Sequence, residues 1–117
     1  MIDVYGIPNC NTVKKALDWL KEHQLAYAFH DYKKEGVTEE KLTEWSNHFG
    51  WETLINKNGT TWKALTDEEK NKVIDQSSAI KLMKEKTSVI KRPVIEARRK
   101  YLIRFDEQQY ADTLLKK

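Results

Sequence analysis

The sequence reads as an α/β chain: a βαβ unit, then a helical region, then a β-hairpin and a closing helix. Three observations predict that class. Ile2–Tyr5 is short and largely apolar, Val13, Ala16, Leu17 and Leu20 fall at i, i+3, i+4 and i+7, and Ala26–Tyr32 alternates with period two. From Gly36 to about residue 88, helix caps and helical faces recur without a strand pattern. Apolar runs then flank the turn Arg98-Arg99-Lys100, and Asp106 stands before a last helical stripe. The 117 residues suit one core. The expectation is a single domain over 1–117 with a helical insertion at about 36–88.

The first helix is expected from about Asn11 to His23, with a turn near Gln24. Strand, helix and strand in this order predict parallel strands joined by a right-handed crossover. In the helical region Thr38 can cap a helix whose first turn holds Glu39 and Glu40, where acids suit the macrodipole. Leu42, Trp45 and Phe49 form its apolar face and Gly50 its stop. Trp51–Ile55 suits a short helical turn, Asn56-Lys57-Asn58-Gly59 a loop, and Thr61–Leu65 fits either helix or loop. Thr66 and Glu69 form a capping box for a helix carrying Val73 and Ile74. Ser77 or Ser78 can cap another helix through about Lys86, with Ala79, Leu82 and Met83 inward. Ile90–Ile95 reads as a strand passing through Pro93, and Tyr101–Arg104 as its hairpin partner. The final helix follows Asp106, with Tyr110, Ala111, Leu114 and Leu115 on its inner side.

The formal charge is +3 and the isoelectric point about 8.9, mildly basic and short of the signature of a dedicated nucleic-acid binder. Charged residues at 33% and apolar ones at 39% suit a globular chain. A lone cysteine makes no internal disulfide, no secretory leader is visible at Met1–Ile7, and no apolar run approaches a membrane span. A cytoplasmic monomer is the expectation. His23, His30 and His48 do not join Cys10 in metal-ligand spacing, so no metal is expected.

The chemistry centres on Cys10. It follows a Gly-x-Pro turn and opens the first helix, where unpaired backbone N–H groups and the positive end of the dipole favour thiolate over thiol. The thiolate is the nucleophile of disulfide exchange. Thr12 can add a hydroxyl hydrogen bond, Lys14 or Lys15 a positive field, and Asn9, Asn11 and Thr12 shape the loop. The plain alternative is a small apolar filler. Between Lys91 and Arg104 there are six basic residues and one acid, Glu96: either a solvated hairpin rim or an anion site facing Cys10.

Tyr5-Gly6-Ile7-x-Asn9-Cys10-x-Thr12-x-Lys14-Lys15-Ala16, Phe29-His30-Asp31-Tyr32, Gly59-Thr60-Thr61-Trp62 and Ile90-Lys91-Arg92-Pro93 resemble the arsenate reductase (ArsC/Spx) family, above all its YffB-type branch. The resemblance covers nearly the whole chain. It implies a thioredoxin-like fold with an inserted helical region, and thiol chemistry supported in some members by glutathione and glutaredoxin. It also implies a cis Arg92–Pro93 bond presenting Arg92 to Cys10, and a second anion-binding arginine at Arg104. Three departures stand out. Gly6 occupies the place of a histidine of the reductases, Asn56 that of an arginine, and Val13 that of the second cysteine of the regulators' switch.

Two readings follow. One is an oxidoreductase in which Cys10 attacks a disulfide or a small anionic substrate such as arsenate. External glutathione then resolves the adduct, and Arg92, Arg104 and Lys14 hold the anion. Here no cofactor is bound, glutathione is the co-substrate, and arsenate turnover is expected to be weak or absent. The other is a non-enzymatic binding module like the regulators of this family that contact RNA polymerase, with Cys10 a vestige or a glutathionylation sensor. A structural domain with no partner is a third. Repeated turnover distinguishes the enzyme from a sensor that is modified once.

Overall fold

The computed structural model describes residues 1–115. They divide into two compact units, one of Met1–Glu35 with the described residues from Arg92 onward, the other of Gly36–Lys91. The first unit opens with β1 (Ile2–Gly6), α1 (Asn11–Glu22), β2 (Tyr27–Asp31) and α2 (Tyr32–Glu35). The second holds α3 (Glu39–Phe49), α4 (Trp51–Leu54), α5 (Thr60–Lys63), α6 (Asp67–Asn71) and α7 (Gln76–Glu85), then a 3-10 turn, Thr87–Val89. The chain returns to the first unit through β3 (Val94–Ala97), β4 (Lys100–Ile103), α8 (Glu107–Tyr110) and a π-helical turn, Ala111–Leu115.

The sheet of the first unit runs β2-β1-β3-β4. β1 and β2 are parallel, as the βαβ pattern predicts, and the other pairs are antiparallel. Val4 stands opposite Phe29 and Ile95, and Ile95 opposite Leu102. Side chains alternate along a strand, so these four share one face. That face packs on Ala16, Trp19 and Leu20 of α1 and on Tyr110 and Leu114. Each such side chain, fully buried, contributes ~1.5–3 kcal/mol relative to exposure. The opposite face carries the next residues along, Tyr5 beside His30 and Asp3 beside Glu96.

In the second unit α3 packs on α4 and α7, and α5 on the 3-10 turn. Leu42 and Trp45 of α3, Leu54 of α4 and Ala79, Ile80 and Met83 of α7 are buried. The Thr38 hydroxyl accepts from the N–H of Lys41 at 3.1 Å, and Thr66 and Glu69 close the expected capping box. Gly50 ends α3 at φ 89°, a conformation glycine adopts without strain.

Several elements differ from expectation. The cap of α7 is Asp75, whose carboxylate accepts from the N–H of Ser78 at 2.9 Å, rather than Ser77 or Ser78. Ser78 instead serves as the returning acceptor of that box, and its face buries Ile80 where Leu82 was expected. The helix after Thr66 stops at Asn71, so Val73 and Ile74 lie beyond it and Ile74 is exposed. Thr60–Lys63 is helical, which resolves the ambiguous stretch. Tyr32 leaves the second strand to start α2, because the Asp31 carboxylate accepts from the N–H groups of Lys33 and Lys34. Ile90 forms only a single bridge, to Ile55, and β3 begins after Pro93. Leu115 is exposed, while Tyr110 and Leu114 are buried as expected.

Candidate active site

β1 ends at Gly6, and the exposed Pro8 and Asn9 carry the chain to α1. Cys10 is the N-cap of that helix, at φ −106° and ψ 126°, and its carbonyl accepts the N–H of Lys14 at 2.9 Å. The side chain is partly exposed. Its side chain closes no cap hydrogen bond of ordinary geometry. Burial opposes the thiolate, but the N–H of Val13, the Arg92 side chain and the N–H of Thr12 favour it by hydrogen bonding, and the Arg92 charge adds to this. The net effect holds the thiol below its ordinary range. This is what a helix N-terminus combined with one cation does to a sulfur.

Arg92 reaches the sulfur from the far end of the same unit. The Arg92–Pro93 bond is cis, as the resemblance implies, and Pro93 is buried. The Pro93 carbonyl accepts the N–H of Arg104 at 2.8 Å, which ties the start of β3 to the end of β4. Tyr32, buried in the same unit, senses the charge of Arg92, and Tyr5 acts electrostatically on Tyr32. Neither tyrosine was among the expected site residues. The motif Phe29-His30-Asp31-Tyr32, which carries the resemblance, is the one signal in the sequence that could have singled out Tyr32.

The remaining expected site residues are placed less centrally. Thr12 contributes its backbone N–H in place of the hydroxyl expected of it. The second donor is the N–H of Val13, which the cap position itself predicts, since an N-cap side chain faces the N–H groups of the second and third helical residues. Lys14 and Asn11 on α1, and Asn9 before it, are exposed, and no described contact carries their side chains to the sulfur. Arg104 lies past β4, exposed and at φ 61°. It was expected within the strand, but β4 ends at Ile103. The Arg104 carbonyl accepts the hydroxyl of the buried Tyr110, and the left-handed backbone of Arg104 itself ends the strand after its N–H has bonded to Pro93.

Gly6 is buried against the first turn of α1. A Cβ there would sit 2.9 Å from a Val13 methyl carbon and 3.8 Å from the Arg92 Cβ. Gly6 and Val13, where the resemblance implies departures from the reductases and from the regulators, are therefore neighbours in space. Val13 fills the room a side chain at position 6 would need.

The ArsC family pattern matches residues 5–113. The chain belongs to the ArsC family. This ArsC-family chain is 44% identical over 110 residues to an uncharacterized protein of Haemophilus influenzae, covering 94% of this chain and 96% of the relative. A solved structure named YFFB protein superposes at a TM-score of 0.93 with 43% identity, covering 97% of this chain and 99% of the other. The global transcriptional regulator Spx of Streptococcus agalactiae is 25% identical over 111 residues, 93% of this chain and 80% of the regulator. The fold of the ArsC-family chain is thioredoxin-like, and none of its described helices is long and apolar enough to cross a membrane. Among the described residues no cluster of His, Cys, Asp and Glu could hold a metal ion.

Proposed function

We propose that the chain is a thiol oxidoreductase that uses Cys10 as its nucleophile and glutathione as its external reductant. The observation that carries this reading is the Cys10 sulfur at an N-cap, facing the amides of Thr12 and Val13 and the guanidinium of Arg92. The thiolate attacks one sulfur of a substrate disulfide. A Cys10–substrate disulfide forms, the substrate S–S bond breaks, and the other half leaves as a thiolate that takes a proton from water. Glutathione thiolate then attacks the substrate sulfur of this adduct, releasing a glutathione mixed disulfide and regenerating the Cys10 thiolate. The sequence holds one cysteine, so the second step needs a thiol from outside the chain. Arg92 suits the carboxylates of glutathione by its forked donors as well as by its charge. A cytoplasmic setting, where glutathione keeps thiols reduced, fits a protein whose sole cysteine is free. Glutaredoxin is the protein partner that such an adduct would suit.

The similarity to Spx favours a second reading, a regulator whose Cys10 is glutathionylated once. The test is mass spectrometry after exposure to oxidised glutathione, then glutathione-coupled turnover of a model disulfide. A single glutathione adduct followed by many turnovers supports the enzyme. An adduct without turnover supports the regulator, and no adduct on Cys10 removes both.

A further inference from the structure

At the end of the first unit's sheet away from Cys10 there is a hollow of about 280 Å³. Ile2, Leu25, Ala97 and Leu114 give it apolar walls, Arg98 and Thr113 its polar groups, and Ala26 lies on its wall as well. Ile2 begins β1, whereas Cys10 lies beyond the other end of that strand. The five residues of β1 separate the two places by ~13 Å of strand. Arg98 is the charged side chain on the wall, and among the described residues no acid lines the hollow or pairs with Arg98.

The turn that presents Arg98 is unusual. β3 and β4 are joined by Arg98 and Arg99 at φ 51° and 67°. A two-residue hairpin with both central residues left-handed favours Asn-Gly, since other side chains are disfavoured there. Two arginines in these positions, followed by Lys100, place cations where turn chemistry alone would select small residues. All three are exposed.

We propose that this hollow binds a small aliphatic carboxylate, its chain against Ile2, Leu25 and Leu114 and its carboxylate on Arg98. The volume lies just below the ~300–1,000 Å³ of drug-sized ligand sites, which suits a short chain. The apolar wall accounts for the chain, and an unopposed guanidinium at the rim is complementary to a carboxylate in charge and fork geometry.

The test titrates octanoate, and octanol as its neutral counterpart, into the 15N-labelled protein and follows amide shifts. Saturable shifts are expected at Ala26, Ala97, Arg98 and Leu114 but not at Cys10–Val13, with octanoate binding about tenfold tighter than octanol. Arg98→Gly removes the guanidinium and suits the left-handed turn, so the variant stays folded. It should lose about tenfold for octanoate and little for octanol. Ala26→Glu should weaken octanoate through like charge. The proposal is overturned by absence of saturation at these amides, by equal octanoate and octanol affinities, by full octanoate affinity in Arg98→Gly, or by shifts centred on Cys10 and Arg92.

Discussion

Arg92 faces Cys10 with both a hydrogen-bond donor and a charge, although the two residues stand at opposite ends of the chain. The approach is possible because β3 runs antiparallel beside β1, with Val94 opposite Tyr5. The residue two before Val94 therefore comes up beside the loop that leaves Gly6. The helix-terminal amides need no such arrangement, since they come with α1 itself.

Those two sources can be separated. The Cys10 thiol should titrate below the ordinary ~8.5. Arg92→Ala should move its midpoint up, since it removes both a hydrogen bond and a charge while the amides of Val13 and Thr12 remain. Arg92→Lys should recover the charge but not the fork. Ultraviolet absorbance of the thiolate against pH, with Cys10→Ser as blank, makes the measurement. Because the folded value is depressed, thiolate-linked stability is present above the unfolded pKa and is lost as pH falls through the folded one. A midpoint at or above the free-thiol value, or no response to Arg92→Ala, would remove the case for an activated nucleophile.

Glutathione recognition provides the second prediction. A charge-assisted contact contributes ~1.5–3 kcal/mol, so Arg92→Ala should weaken glutathione binding by about tenfold or more. Arg104→Ala should matter less, because Arg104 is exposed beyond β4. Calorimetric titration of each variant tests the order. Arsenate turnover should be slow, since Gly6 and Asn56 stand where the resemblance implies a histidine and an arginine of the reductases, and loss of one preorganised contact can lower a rate ~10²–10³-fold. Efficient arsenate reduction would show those groups to be dispensable.

What could be read directly from the residues was local. Thr38, Thr66 with Glu69, and Asp106 each act within four residues, and each caps the helix expected of it. The N-cap position of Cys10 was legible for the same reason. Asp75 was not, because three candidate caps lie within four positions and only the folded backbone selects one. The alternation of Tyr32 with His30 predicts a strand that continues through Tyr32. The Asp31 side chain, bonding to Lys33 and Lys34, turns the chain instead. The meeting of Arg92 with Cys10 has no local signal. The resemblance alone implies it. Arg104 shows the converse: the apolar run Tyr101-Leu102-Ile103 predicts a strand through Arg104, whose left-handed backbone instead ends β4 at Ile103.

The packing of Gly6 on Val13 gives a third prediction. Gly6→Ala places a methyl 2.9 Å from a carbon of a fully buried side chain. Overpacking of that kind costs ~1–3 kcal/mol. The double variant Gly6→Ala, Val13→Ala should be less destabilised than the two single changes sum to, since Val13→Ala makes the room. Urea denaturation of the four proteins measures the coupling. Strict additivity would mean that position 6 does not meet Val13.

The last prediction concerns His30, on the sheet face opposite the core. Its Nε2 lies 3.0 Å from Asp3 Oδ1 and its Nδ1 3.4 Å from Glu35 Oε1. Its ring stacks on Tyr5 at 4.5 Å between centroids. The hydrogen bond to Asp3 raises its pKa most, burial opposes this, and the hydrogen bond and charge of Glu35 and the charge of Asp3 add to the rise. A raised folded value means that the imidazolium pairs stabilise the fold fully below the unfolded ~6.5. That contribution is lost as pH increases through the folded pKa. Both pairs are partly solvated, so salt should weaken them. Asp3→Asn should bring the His30 midpoint down and flatten the pH dependence of stability over that window. His30→Gln should remove the dependence while leaving the Cys10 titration in place. The His30 ring protons, followed by NMR against pH, report the midpoint directly, and urea denaturation at several pH values reports the stability. A His30 that titrates at or below the ordinary value, or the same midpoint in Asp3→Asn, would show that the Asp3 contact does not hold the proton.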